Sequence, residues 1–436
     1  MLLNILILIV SLIFTFLTFV IFRDANKKFN VLNGFYSYLT PLLFIQIGVF
    51  TYIGSYVAFF FKDNIGRLYE INYSTISLSL LYITYSVLVL VSILSFYFYF
   101  INKSNSKKNT TVYNLTKEMC LLNKTQIYSI FIIVLLYVFY KYAFNYNNSP
   151  IIAMLSGMPE RAAELRFLIQ THQISVDVKY LSKLVEIFGF YLVSYLYINV
   201  ILFRQYFKTF LLSFFLVSLN IVYDGQKAPL ILLMLSLLLI RYIYTKKIKE
   251  LAMLSIAVVV LLLVMNLLAS GSSSILSIVF TILDRTFIGQ NQGLYYILQY
   301  LPVNHKDFFD WLINSNYIPV DREVIPFIGF YAGNNAIVNV NTYYLAEAWY
   351  AFGIYGILIS PVIASLFIIF YMYIMDHFLR RNYLLYFPFA FFISLSFPIS
   401  RSFYQILDFK YFLYVFVFGI IPFYTLISLK RHNNVT

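Results

Sequence analysis

The residues best suited to chemistry are cations set beside long apolar runs. Arg285 stands in Asp284-Arg285-Thr286-Phe287-Ile288-Gly289-Gln290, directly after an apolar stretch at 274–283. Ile275, Ile278, Val279, Ile282 and Leu283 recur there at helical spacing, so this stretch is expected to lie along or dip into a membrane. A guanidinium at such an interface presents a planar fork of donors to the phosphate oxygens of a lipid carrier. The same side chain could equally snorkel to headgroups or pair with Asp284. Further cations of this kind are Arg161 and Arg166 in Pro159-Glu160-Arg161-Ala162-Ala163-Glu164-Leu165-Arg166, Lys227 in the turn Asp224-Gly225-Gln226-Lys227, Arg322 between Asp321 and Glu323, and Arg401. For 159–166 a charged surface helix is the plainer reading, because proline followed by acids is a helix-start signal. Carboxylates are few and scattered, so the set suits an anionic ligand better than a cation.

Polar and aromatic neighbours complete the candidate set. Gln290 follows Arg285 closely, and Asn341, Thr342 and Tyr343 lead into Glu347. Amides suit sugar hydroxyls, while Asn341 or Thr342 would serve as well as a helix N-cap. Glu347, expected just inside a helix, is either stabilised by the helix dipole or poised as a base. Tyr295, Tyr296, Tyr300, Phe308, Phe309, Trp311 and Tyr317 offer flat faces for sugar rings. Aromatic residues make up 20% of the chain, however, and crowd membrane interfaces anyway. Cys120 is the single cysteine and the four histidines form no H-x-x-x-H pair, so no metal and no cofactor is expected. A Walker motif is absent, which removes ATP as an energy source.

The elements that must position these residues follow from composition. Of 436 residues, 61% are hydrophobic and 11% charged, and the mean hydropathy is +0.80. A water-soluble globule cannot cover that much apolar surface, so the chain is expected to be an all-α polytopic membrane protein. Spans of about 20 apolar residues number about eleven. They fall at 2–22, 38–61, 75–101, 126–144, 184–203, 209–223, 230–244, 251–269, 346–375, 384–399 and 412–429. The first lacks the basic leader and small-residue site of a signal peptide. The net charge of +13 collects in the short connectors, which identifies them as cytoplasmic and makes nucleic acid an unneeded partner. This places the N-terminus in the periplasm and the C-terminus in the cytoplasm. Two large loops, 145–183 and 270–345, then lie in the periplasm within a single integral membrane domain spanning 1–436, and loops of that length are usually functional.

The Arg285…Gly289-Gln290 element with its following tyrosines, and the stretch from Asn341 to Gly356 (Asn-Thr-Tyr-Tyr…Phe-Gly-x-x-Gly), resemble the Wzy-type O-antigen polymerases, also called oligosaccharide repeat unit polymerases. The likeness is strongest over 220–365 and topological elsewhere. It implies a metal-independent glycosyltransferase of GT-C-like fold in the bacterial inner membrane. Its substrates would be undecaprenyl-pyrophosphate-linked oligosaccharide units, with membrane lipids around it and a chain-length regulator and a flippase as candidate partners. Some members of that family carry in each large loop an arginine with a glycine eleven residues on; Arg322 and Gly333 keep this spacing, whereas Arg161 and Arg166 do not. On this resemblance Arg285, helped by Lys227 or Arg161, would stabilise the departing pyrophosphate. Glu347 or His305 would take the acceptor proton, and Arg166, Gln290, Arg322, Asn341, Tyr343 and Arg401 would bind substrate. An O-antigen ligase shares the loop plan and differs in acceptor. A lipid-linked oligosaccharide flippase, a transporter, would have shorter loops.

Overall fold

The computed structural model describes residues 2–104, 122–170, 174–225, 228–247, 284–304, 341–400 and 402–407, with single positions elsewhere. All regular structure among them is helical. In chain order the helices are α1 (Leu2–Phe29), a π-helix (Pro41–Ile53) that continues as α2 (Gly54–Phe61), α3 (Tyr73–Ser104), α4 (Lys124–Phe144), α5 (Pro150–Leu155), α6 (Pro159–Gln170), α7 (Lys179–Phe203), α8 (Phe207–Val222) and α9 (Ala228–Thr245). After these come a π-turn (Asp284–Ile288), α10 (Gln292–Tyr300), α11 (Tyr343–Phe352), α12 (Ile354–Arg381), α13 (Tyr383–Ser396) and α14 (Phe403–Leu407).

Seven of the described helices are long and apolar enough to cross a membrane, and 207–222 and 229–245 are shorter apolar helices. The chain is therefore a polytopic helical membrane protein. The expected spans at 251–269 and 412–429 lie outside the described residues. The expected span at 346–375 is two helices. Gly353 interrupts it at φ +62° and ψ −140°, backbone angles that side chains with a Cβ avoid. At Gly356 a Cβ would overlap the carbonyl of Ala348, so the first turn of α12 bends back onto α11 at that point. The glycine pair thus makes a close helix contact and also a corner, which hydropathy alone does not reveal.

Local chemistry explains several helix ends. Asn123 and Gln126 form a reciprocal capping box at the start of α4, with N···O distances of 2.8 and 3.0 Å. Lys27 and Lys28 sit in the last turn of α1, where the helix dipole favours cations. Pro159 opens α6 as its sequence signal predicts.

The chain forms two compact units. The first comprises Met1–Thr110, Phe280–Asp376 and Ser396–Phe409. There α1 packs along α3, and Tyr295, Tyr296, Tyr343 and Tyr344 are wholly buried where α10 meets α11. The second comprises Thr111–Val279, His377–Leu395 and Lys410–Thr436. Its core is aromatic: the rings of Tyr191 and Tyr195 stack at 5.7 Å, and Tyr191 lies 4.2 Å from Phe389. The Tyr195 hydroxyl accepts from the backbone N–H of Leu122 at 2.9 Å, which satisfies both buried groups.

Candidate functional site

In the first unit, the turn that carries Arg285 is held from four directions. Residues 284–288 form a single π-turn closed by the Gly289 N–H on the Asp284 carbonyl at 3.0 Å. Such wide turns recur at functional positions. Gly54, at the start of α2, lies so close to the Phe287 carbonyl that a Cβ there would overlap it. Asn291 donates its side-chain amide to the Thr51 carbonyl at 3.0 Å, fixing the turn to the end of the π-helix. Gln290 accepts from the Asn341 amide at 2.7 Å, and the Gly293 N–H donates to the Asn341 carbonyl at 3.0 Å. Finally, Arg67 from the short connector between α2 and α3 pairs through Nε with Asp284 and donates to Gln292 Oε1 at 2.9 Å.

This arrangement brings together Gln290, Asn341 and Tyr343 with the backbone of Arg285. The Arg285 side chain lies outside the described residues. Asn341 does not cap α11, because the N-cap position falls to Thr342, which makes no side-chain cap; the Asn341 amide N–H donates to Gln290 instead. Tyr343 opens α11 in the left-handed region at φ +47°, which costs a bulky residue about 1–2 kcal/mol. Its hydroxyl pairs with Ser86 at 3.0 Å, and its ring lies 4.7 Å from that of Tyr344, so surrounding packing holds the strained angle. Strain of this type gathers at functional sites.

Glu347 is 1% exposed on α11. Its carboxylate accepts from the Ser402 hydroxyl and from the Tyr404 backbone N–H at 2.9 Å, which ties α14 to α11. Tyr295 and Tyr296 are fully buried, so in this structure they offer no face to a sugar. The Tyr296 hydroxyl instead donates to the Arg67 carbonyl at 3.1 Å. His305 and Arg322, like Phe308, Phe309, Trp311 and Tyr317, lie outside the described residues, as does Arg401.

The second unit holds a separate charged group. Lys141, in the last turn of α4 and 4% exposed, pairs with Asp177 at 3.0 Å and lies 4.8 Å from the ring centre of Tyr223. The Tyr137 hydroxyl donates to the same Asp177 oxygen at 2.6 Å. Asp224 belongs to this group, and its carboxyl is raised above the usual range by burial and then by Asp177, against the lowering pull of Lys141 and Arg166. Arg161 and Arg166 project to the exposed side of α6, while Ala162 and Leu165 close a small core with Ala153. Lys227 lies outside the described residues. Arg161 and Arg166 are thus in a different unit from Gln290, Asn341 and Tyr343.

Sequence reasoning missed Arg67, Ser402, Lys141 and Asp177. A signal for Arg67 existed: with Lys62 it is a cation between the expected spans 38–61 and 75–101, on the side where basic residues are expected to be few. Comparison of the chain with family models, with curated proteins and with solved structures gives no match.

Proposed function

We propose that this protein is a polysaccharide polymerase of the bacterial inner membrane. In this reading it joins undecaprenyl-pyrophosphate-linked oligosaccharide units at the periplasmic face without a metal. The observation that carries the reading is the direct meeting of the two sequence elements that prompted it. Gln290, five residues after Arg285, bonds Asn341, the first residue of the second element.

The reaction breaks the bond from the anomeric carbon of the donor glycan to its pyrophosphate and forms a bond from that carbon to an acceptor sugar hydroxyl. The acceptor loses its proton to a base, and the pyrophosphate leaves as the anion on its lipid. Arg285 supplies positive charge where the pyrophosphate charge grows, the largest electrostatic need of the step. Beside it, the amide atoms of Gln290 and Asn341 outside their mutual bond, Gln290 Nε2 and Asn341 Oδ1, suit sugar hydroxyls. Glu347 is already committed as acceptor to Ser402 and Tyr404, which favours an anchoring role for it and moves His305 to the front as base. GT-C-like architecture, about eleven spans and a periplasmic N-terminus belong to the same proposal.

The test is the lipid-linked glycan of a strain lacking the gene. Single repeat units stranded on the outer face support the polymerase. Long polymer accumulating on the carrier would identify a ligase, and single units trapped on the inner face a flippase. Arg285→Ala, expressed at wild-type level, should give the same single units as the deletion; polymer of normal length would remove Arg285 from the mechanism.

A further inference from the structure

We propose that Arg67 is the positioning residue of the 284–292 turn, holding both of its ends so that Arg285 is presented to a polyprenyl pyrophosphate in one orientation. The inference rests on the polymerase reading and deepens it, because that reading assigns no role to the connector between α2 and α3.

Three observations carry it. First, Arg67 bridges the turn lengthwise. Its Nε meets Asp284, the first residue of the π-turn, and its terminal nitrogen reaches Gln292, the first residue of α10. A guanidinium is the one side chain with several donors in a rigid plane, so a single residue can set this span. Second, the connector is itself fixed to α10 at more than one place. The Tyr296 hydroxyl donates to the Arg67 carbonyl at 3.1 Å, Gln299 donates to the Glu70 carbonyl at 2.8 Å, and the Asn72 N–H donates to Gln299 Oε1 at 2.7 Å. Arg67 therefore acts from a braced backbone. Third, the charges have a sign. Asp284 is the immediate neighbour of Arg285 and would tend to offset its charge. With Arg67 on Asp284, the carboxylate is already partnered, and counting Arg67, Asp284 and Arg285 by residue type the turn and its brace are net positive. The Arg67 and Asp284 side chains are each about a quarter exposed, which leaves this pair less screened than a surface pair.

Arg67 acts through Arg285, so its effect should depend on Arg285 being present. The experiment uses the full chain in phospholipid nanodiscs and measures binding of undecaprenyl pyrophosphate itself. Wild type, Arg67→Ala, Arg67→Lys, the swap Arg67→Asp with Asp284→Arg, Arg285→Ala, and Arg67→Ala with Arg285→Ala are compared, with thermal unfolding recorded for each. Arg67→Ala should weaken binding by roughly a hundredfold, the scale of a misplaced binding group. Arg67→Lys, which keeps charge and loses the fork, should fall between Ala and wild type. The swap should recover part of the loss at a melting temperature equal to that of Arg67→Ala. In the Arg285→Ala background Arg67→Ala should add almost nothing.

Unchanged binding by Arg67→Ala, or the same loss in both backgrounds, would overturn the inference and leave the polymerase reading standing. If Arg67→Ala does not fold, the swap decides: a folded swap that binds no better than Arg285→Ala overturns the inference. Wild-type protein that does not bind the lipid would sink the polymerase reading and the inference with it.

Discussion

The hydroxyl of Ser402 donates to the carboxylate of Glu347, a residue 55 positions earlier in the chain, and the backbone N–H of Tyr404 meets the same oxygen at 2.9 Å. One buried carboxylate thereby fastens the short helix α14 to α11. Glu347→Ala removes the acceptor of both bonds and should cost about 1–3 kcal/mol. Glu347→Gln keeps an acceptor oxygen and should cost clearly less. Thermal unfolding in detergent checks the order. If Glu347→Gln unfolds like wild type yet makes no polymer, Glu347 is the base after all.

Gly54 should tolerate no side chain. Alanine there drives a methyl into the Phe287 carbonyl, and either α2 or the Arg285-bearing turn must move. Overpacking of this kind costs about 1–3 kcal/mol. The expected outcome is a lower melting temperature together with shorter polymer. Gly66, where an added Cβ meets nothing within 4 Å, provides the control: Gly66→Ala should leave both quantities unchanged.

Lys141 is the buried member of its ion pair, with 5% of its side chain exposed against 37% for Asp177. Removing it leaves Asp177 and Asp224 without the cation between them. Lys141→Met should destabilise the protein by about 3 kcal/mol, the low end for a broken buried pair because Asp177 reaches solvent. Asp177→Asn should cost less than Lys141→Met, since it leaves the Tyr223 ring as a partner for the lysine. Equal melting temperatures for the two variants would contradict this order.

Asp224 gives the stability a pH dependence of definite sign. Burial holds its folded-state carboxyl above the usual carboxylate range, so the fold prefers the neutral form. Below the unfolded value near pH 4 this residue imposes no charge penalty. As pH rises toward the folded value, the fold must accept the charge and its stability falls. Asp224→Asn should therefore unfold at a higher temperature than wild type at pH 7, with the difference shrinking toward pH 4. A difference that grows on acidification would refute the assignment.

How much of this was legible beforehand depends on the range of the interaction involved. Apolar runs betray spans, so the helices from α1 to α9 fall close to where hydropathy puts the long ones. Gly353 was legible within the Phe-Gly-x-x-Gly stretch but not as a corner, because its left-handed angle goes with the bend that brings Gly356 against Ala348. Gln290, Asn341 and Tyr343 were named through the resemblance, and the structure joins Gln290 to Asn341 while the Tyr343 hydroxyl pairs with Ser86. The pairings of Arg67, Ser402 and Asp177 were invisible for a common reason. Each owes its role to a partner 40 or more residues distant, Asp284, Glu347 and Tyr137 respectively, and no periodicity encodes such a pairing.

The first helix has a consequence of its own. Only 6% of its most apolar window is covered by protein, and Leu2, Leu3, Leu6, Ile9, Ile13, Phe16 and Phe19 stand exposed along its length. Its 28 residues extend ~42 Å at the usual helical rise, whereas a bilayer core is about 30 Å thick. The excess is the charged end from Arg23 to Lys28, which reaches into the headgroup region, while the apolar part at 2–22 matches the core. The lean of α1 is set by its packing along α3. Because the Thr15 hydroxyl is bonded to those of Tyr52 and Tyr56, at 2.8 and 2.6 Å, that lean bears directly on the helix whose glycine abuts Phe287.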